Sequence, residues 1–358
     1  MTQQVIDWAL RVLRGPGVQG LESAGAVGAA TDRADELARQ ARESLPGLTG
    51  SASPVATARR ALAASLIDEG HAALREIAAR QRPAALTADQ LSGLEAIVRL
   101  TGRPSLPVRG GSVDEVTPEW ADPLALASKL IQQSIASVGR LRVPEFADAY
   151  LGTAFLVAAD RVMTNVHVAI SFAERTGSGW KVGTGLSPLM DFLAEDGNPA
   201  RSEFRVVAID CLHPDPRLDL AVLRLERSGV QGEALPPPLP LNGDPARVQP
   251  GGRIYVIGYP AADDRHDLSV VDAVFGRALS VKRLAPGEII VRRDEGLEFT
   301  HDCSTLKGNS GSCVLDLATS QVVGLHRSGT AGVENRATSL THTRQDALLR
   351  DLGITFSP

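Results

Sequence analysis

Three short segments carry a histidine, an aspartate and a serine in that order, each beside β-forming residues: Thr164-Asn165-Val166-His167-Val168, Asp219-Leu220-Ala221-Val222-Leu223 and Gly308-Asn309-Ser310-Gly311-Ser312. A serine hydroxyl is a poor nucleophile at neutral pH, so its attack on a carbonyl requires a neutral imidazole to take the proton. His167 is the candidate base and Ser310 the candidate nucleophile. An ionised, buried Asp219 beside the imidazole would fix its tautomer and stabilise the imidazolium. Charge developing on the carbonyl oxygen requires converging N–H groups. The backbone amides of Gly308 and Ser310 are the candidates, because a side chain at 308 would obstruct the necessary turn. Gly311 has two readings, one keeping the chain close to a substrate and one as an ordinary turn glycine. Asp215 is the rival to Asp219, but His213-Pro214-Asp215-Pro216 reads as a turn, since its prolines preclude a regular strand. Taken singly, each of these residues has a purely structural reading; the three motifs together carry the catalytic one.

No other cluster competes. His213, His266, His301 and His342 lack acidic or cysteine partners at metal-ligand spacing, so neither a metal nor another cofactor is expected. His71 falls in a helical stretch and reads as a surface residue. Cys303 and Cys313 flank the candidate nucleophile and have two readings: redox partners, or buried free thiols acting as small core residues. With only Cys211 besides, the odd and sparse cysteine count fits a reducing cytosol.

The elements that must position these groups change character along the chain. Residues 1 to about 102 read as a helical bundle: Val5, Trp8, Ala9, Val12 and Leu13 follow the spacing of one helical face. Ser53-Pro54 can open a helix that runs to Pro83, with Gly70 a potential break. Thr87 and Gln90 resemble a capping box ahead of the stripe Leu91, Leu94 and Val98, which Gly102 and Pro104 terminate. Residues 103–122 have no periodicity and read as a linker that lets the two parts move independently. After a helix-like stretch at Leu124–Ile135, residues 123–358 become β-rich. Gly152–Val157, Arg205–Ile209, Ala221–Leu225, Arg253–Ile257, Glu288–Arg292 and Gln321–Leu325 are candidate strands, a density that points to barrels or sandwiches.

Bulk properties exclude other functions. The chain has 358 residues, 43% of them hydrophobic, which supports more than one folded unit. A formal net charge of -5 gives no footprint for nucleic acid or an anionic membrane. The first residues lack the apolar core of a signal peptide, and no apolar run is long enough to span a bilayer, so a soluble cytoplasmic protein is expected.

The motifs GTAFLVAADRVMTNVHV, HDCSTLKGNSGS and VVGLHRSG, in the order His, Asp, Ser, resemble those of chymotrypsin-like serine peptidases over residues 138–345. More narrowly, they are similar to intracellular bacterial trypsin-like peptidases that carry an N-terminal helical effector-associated or caspase-recruitment-like domain. The resemblance implies a multidomain α and β protein, a helical bundle followed by a double β-barrel, and an endopeptidase acting through an acyl-enzyme on His167, Asp219 and Ser310. Asn309 stands where many secreted members carry an aspartate, so activation through a freed amino terminus is not expected. Ser304 stands at the base of the primary specificity pocket, where an aspartate would select Arg or Lys; Asp302 nearby leaves that preference open. Thr305, His326 and Ser328 match the pocket of glutamyl endopeptidases, although His326 could equally pack its strand. The expected preference is a small or medium neutral side chain, with an acidic one as the alternative. The resemblance further implies a protein substrate, for which a gasdermin-like effector in bacterial defence or regulated cell death is a candidate, and homotypic or heterotypic assembly through the helices. Two alternatives stand beside this. One is a silent binding protein on the same fold; the other is a quality-control protease, for which too few residues follow Ser310 to hold a peptide-binding PDZ domain.

Overall fold

A computed structural model of the chain describes residues 2–14, 24–45, 54–80, 85–114, 116–147, 150–177, 179–261, 268–276, 279–330 and 334–357. Four helices come first: α1 (Thr2–Arg14), α2 (Ala24–Glu43), α3 (Pro54–Arg80) and α4 (Ala88–Thr101). The stripe expected on α1 is the buried one, with Val5, Trp8, Ala9 and Leu13 all in the bundle core. Helix α4 starts at the expected capping box, in which the Thr87 hydroxyl accepts from the Gln90 amide and the Gln90 side chain accepts from the Thr87 amide. The cap expected at Ser53 and the stop at Pro83 lie outside the described residues. Gly70 does not break α3: a Cβ there would lie 2.3 Å from the Gly93 carbonyl oxygen, so the pair of glycines lets α3 and α4 cross backbone to backbone.

Residues 103–122 differ from the expected linker because most of them are folded onto the barrels. Strand β1 (Leu106–Arg109) pairs with the second barrel, Leu106 opposite Leu284. Helix α5 (Pro118–Ala136) buries Trp120, Leu124, Ala127, Ile131 and Ile135 as one stripe against the central core. The Trp120 indole N–H donates to the Gly102 carbonyl at 2.8 Å, which ties α5 to the end of the bundle. Sequence reading missed this because the partners of the segment are far away in the chain, and nothing periodic marks a strand of this length.

Two antiparallel barrels follow. The first contains β2 (Val138–Arg142), β3 (Tyr150–Ala158), β4 (Arg161–Thr164), β5 (Leu189–Asp191), β6 (Glu203–Leu212) and β7 (Ala221–Leu225), closed in the order β7-β4-β3-β2-β5-β6. The second contains β8 (Arg253–Gly258), β9 (Arg283–Arg293), β10 (Glu298–His301), β11 (Cys313–Asp316), β12 (Val322–Thr330) and β13 (Glu334–Ser339). Its order β8-β11-β12-β13-β10-β9 closes through β8–β9 pairing, Ile254 opposite Gly287. The helical bundle followed by a double barrel is therefore the fold the sequence called for. A short helix α6 (Val166–Ala169) leaves β4, and helix α7 (Leu268–Phe275) interrupts the connection from β8 to β9. Among the described residues, no helix is long and apolar enough to cross a membrane.

Candidate active site

Strand register brings the imidazole and the carboxylate together. Ala221 of β7 pairs with Thr164 of β4, so the residues just beyond these strand ends, Asp219 and His167, become neighbours. Asp219 has φ of 45°, a left-handed conformation that bends the chain before β7. That bend is held by the Val166 amide and the Asn165 side-chain amide, both donating to the Asp219 carbonyl, at 3.2 and 3.0 Å. The carboxylate then receives the His167 backbone N–H at 3.1 Å and stands 2.7 Å from His167 Nδ1. A carboxylate accepts only, so Nδ1 carries a proton, and in the neutral form of the ring the lone pair is on Nε2. Asp219 is 20% exposed rather than buried, and His167 is 48% exposed. The rival Asp215 is occupied by Arg217, 2.6 Å away, which holds its carboxyl down to about 2.

Ser310 comes from the second barrel and meets the first across the seam. Its carbonyl accepts from the Thr153 amide of β3 at 2.9 Å, and its hydroxyl rests against the Arg327 carbonyl at 3.4 Å. The turn before it is closed by the Asn309 amide donating to the Leu306 carbonyl, with Gly308 at φ 90°. A Cβ at Gly308 would lie 2.5 Å from the Tyr259 carbonyl oxygen and 2.6 Å from the Tyr150 hydroxyl. The Gly308 carbonyl accepts from the Tyr150 hydroxyl at 2.7 Å and from the Thr153 hydroxyl at 2.9 Å. The Gly308–Asn309 peptide is thus fixed at both its oxygen and its N–H. Among the described residues, neither the Gly308 nor the Ser310 N–H donates to a backbone carbonyl. Gly311 has the geometry of the turn reading: at φ 86°, a Cβ there would run into the Thr153 carbonyl oxygen, so glycine lets the Ser310 loop close against the first barrel.

Ser304, Thr305 and His326, expected in the specificity pocket, each have a partner within the fold. The Ser304 hydroxyl donates to the Arg103 carbonyl at 2.6 Å, and the Thr305 hydroxyl to Asn335 Oδ1 at 2.7 Å. Asp302 is paired with Arg103 Nε at 2.7 Å, so it presents no free charge. His326 is buried with its Nδ1 3.1 Å from Nε2 of His301. Burial pushes His326 down to about 3 and His301 well below its ordinary value, so both rings are neutral at pH 7. The backbone of Ser328 lies in β12, while its side chain is outside the described set.

Asn309 is buried, its amide donating to the Leu306 carbonyl, a neutral bond where an aspartate would need a cation. Cys303 and Cys313 are buried free thiols in separate cores, and burial raises Cys313 to about 12. Of the remaining histidines, His213 bonds Asp346 and His71 bonds Asp35, while His266 lies outside the described residues. Sequence reasoning missed Tyr150, Thr153 and Arg103. The only signal for any of them was that Thr153 falls inside the motif that precedes His167.

A family model for the trypsin-like peptidase domain matches residues 152–325. A probable serine protease of Lysobacter enzymogenes is 30% identical over 295 residues, covering 72% of this chain and 75% of that protein. Among solved structures, the active form of the Rv3671c protease from M. tuberculosis is 21% identical, covers 66% of this chain and 89% of its own, and has a TM-score of 0.41. A serine endoprotease from Yersinia pestis is 18% identical, with 66% of its chain and 63% of this one covered and a TM-score of 0.41.

Proposed function

The chain belongs to the trypsin-like serine proteases, and from that premise we propose that it is an active endopeptidase with Ser310 as nucleophile, His167 as base and Asp219 as the group that orients the base. The carrying observation is the 2.7 Å contact from Asp219 to His167 Nδ1, which leaves Nε2 as the proton acceptor. On this reading, rotation of the Ser310 side chain away from the Arg327 carbonyl brings its hydroxyl to Nε2. The oxygen attacks the scissile carbonyl while Nε2 takes the proton. The tetrahedral oxyanion is met by the Gly308 and Ser310 amides, and His167 returns the proton to the leaving amine. Water then repeats the sequence on the acyl-enzyme.

A fluorophosphonate probe tests this directly. Wild type should label, and Ser310→Ala should not; peptide hydrolysis by Ser310→Ala should fall by roughly 10³–10⁶-fold. A well-folded wild type that never labels would make the protein a binding module. For the pocket, the support is the pairing of Asp302 with Arg103 and the neutral His301–His326 pair, which favour a small or medium neutral side chain over a basic or acidic one. Cleavage profiling on a peptide library, wild type against Ser310→Ala, reads this out. The finer reading is a cytoplasmic enzyme, supported by three unpaired thiols, that acts in defence on a gasdermin-like effector and is recruited through its helices. Its support is the helical bundle ahead of the barrels. Co-expression with such an effector should give a single Ser310-dependent cut.

A further inference from the structure

We propose that the helical bundle is a brace for the substrate-binding loops of the second barrel, and that Arg103 is the positioning residue that couples the two. The proposal deepens the endopeptidase reading by assigning regulation to the same site.

Two contacts carry it. The first is electrostatic. Arg103 directly follows the α4 cap, its amide donating to the Val98 carbonyl at 2.8 Å. Its side chain is 2% exposed and meets three carboxylates from different elements: Asp302 at 2.7 Å, Glu119 at 3.1 Å and Glu288 at 3.4 Å. The guanidinium lies 5.5 Å from the centre of the Trp120 ring. Asp302 opens the loop that continues through Ser304 and Thr305 towards Gly308. Arg103 therefore grips this loop twice, by its side chain on Asp302 and by its carbonyl on the Ser304 hydroxyl. Arg11 of α1 adds a second link from the bundle, 3.1 Å from Glu288.

The second contact is apolar. Val270, Val271, Val274 and Phe275 of α7 and Leu306 of the loop before Gly308 belong to the same buried cluster as the bundle helices. The start of the α7 connection is bonded to that loop, the Ala261 amide donating to the Lys307 carbonyl at 2.6 Å. Leu306 also supplies the carbonyl that closes the turn at Asn309. The bundle thus forms one wall of the loop whose amides face the substrate carbonyl. A partner that pulled the bundle away would remove the wall and the Arg103 grip together, and so switch activity down without touching His167, Asp219 or Ser310.

The test uses the full chain with two variants on separate contacts: Arg103→Met, and Val274→Glu on α7. Hydrogen exchange of the amides at 302–310 is compared with that of the barrel strands at 253–258 and 322–327. Both variants should lose protection at 302–310 while the strands keep theirs. Peptide kcat/KM should fall by roughly 10- to 100-fold, the cost of displacing binding groups by about an ångström. Arg103→Lys, which keeps one charge on Asp302, should recover part of that loss, chiefly in KM. A folded variant with unchanged protection at 302–310 and kcat/KM within about twofold of wild type overturns the proposal. The exchange readout stands even for an enzyme that never labels with fluorophosphonate, so a failed endopeptidase reading is told apart from a failed brace.

Discussion

At position 308 two requirements meet that only glycine satisfies: a φ of 90° and a Cβ-free approach to the Tyr259 carbonyl. Gly308→Ala must either rotate the peptide or push the loop off Tyr259, and on the proposed mechanism both misdirect an amide meant for the oxyanion. The expected result is a kcat lower by roughly 10²–10³-fold with little change in KM, because the lost bond forms chiefly in the transition state. Steady-state kinetics on a peptide substrate checks it; a raised KM at unchanged kcat would move Gly308 from the oxyanion site to ordinary substrate binding. His167, Asp219, Ser310 and Gly308 could be proposed from the sequence because each sits in a local motif whose neighbours state its backbone conformation. The groups that hold them were not. Tyr150 bonds the Gly308 carbonyl from 158 residues away, and Ser304 bonds the Arg103 carbonyl across 201. No local pattern encodes such pairings.

Among the elements, α4 separates what local chemistry dictates from what packing dictates. Its capping box follows from Thr87 and Gln90 alone, and Thr87→Ala should cost ~1 kcal/mol by leaving an end amide without its acceptor. By helix propensity alone Gly93, six residues on, would be a weak point, since alanine is the better helix former by about 1 kcal/mol. The crossing reverses that. A Cβ at 93 would lie 2.3 Å from the Gly70 amide nitrogen and from the Leu66 carbonyl oxygen, both backbone atoms that cannot swing aside. Gly93→Ala should therefore destabilise by about 1–3 kcal/mol despite its helix propensity. Urea denaturation of the two variants ranks them, and a stabilised Gly93→Ala would rule out the close crossing. The same division explains the segment 103–122: strand β1 exists through its partner at Leu284, and sequence patterning near Leu106 has no access to it.

For the molecule as a whole, burial of ionisable groups across several cores sets the response to alkali. Burial raises Cys313 from an ordinary 9.0 to about 12 and Cys211 to about 11, with Cys303 shifted the same way. Tyr150, Tyr255 and Tyr259 are also raised above their ordinary 10.0 by burial. An acid whose folded pKa lies above its unfolded one contributes stability that is complete below the unfolded pKa and is lost as pH climbs towards the folded pKa. The thiols thus begin to destabilise the fold near pH 9 and the phenols near pH 10. Lys282 opposes them. Its ammonium is fully buried, donating to the Ile135 and Phe192 carbonyls at 2.8 and 2.7 Å, and desolvation lowers it from 10.5 to about 8. For a base, a depressed folded pKa means a penalty that is present below pH 8 and relieved as pH rises towards 10.5. One lysine relieved over that window offsets only part of what three thiols and three phenols lose. The urea midpoint should therefore hold steady or rise slightly from pH 8 to 9 and then fall steeply above it. Replacing the three cysteines with alanine should shift the onset of that fall towards pH 10, where the phenols alone remain to drive it. A midpoint that stays level through pH 11 in wild type would mean that these groups reach water in the folded state, against the packing described for both barrels.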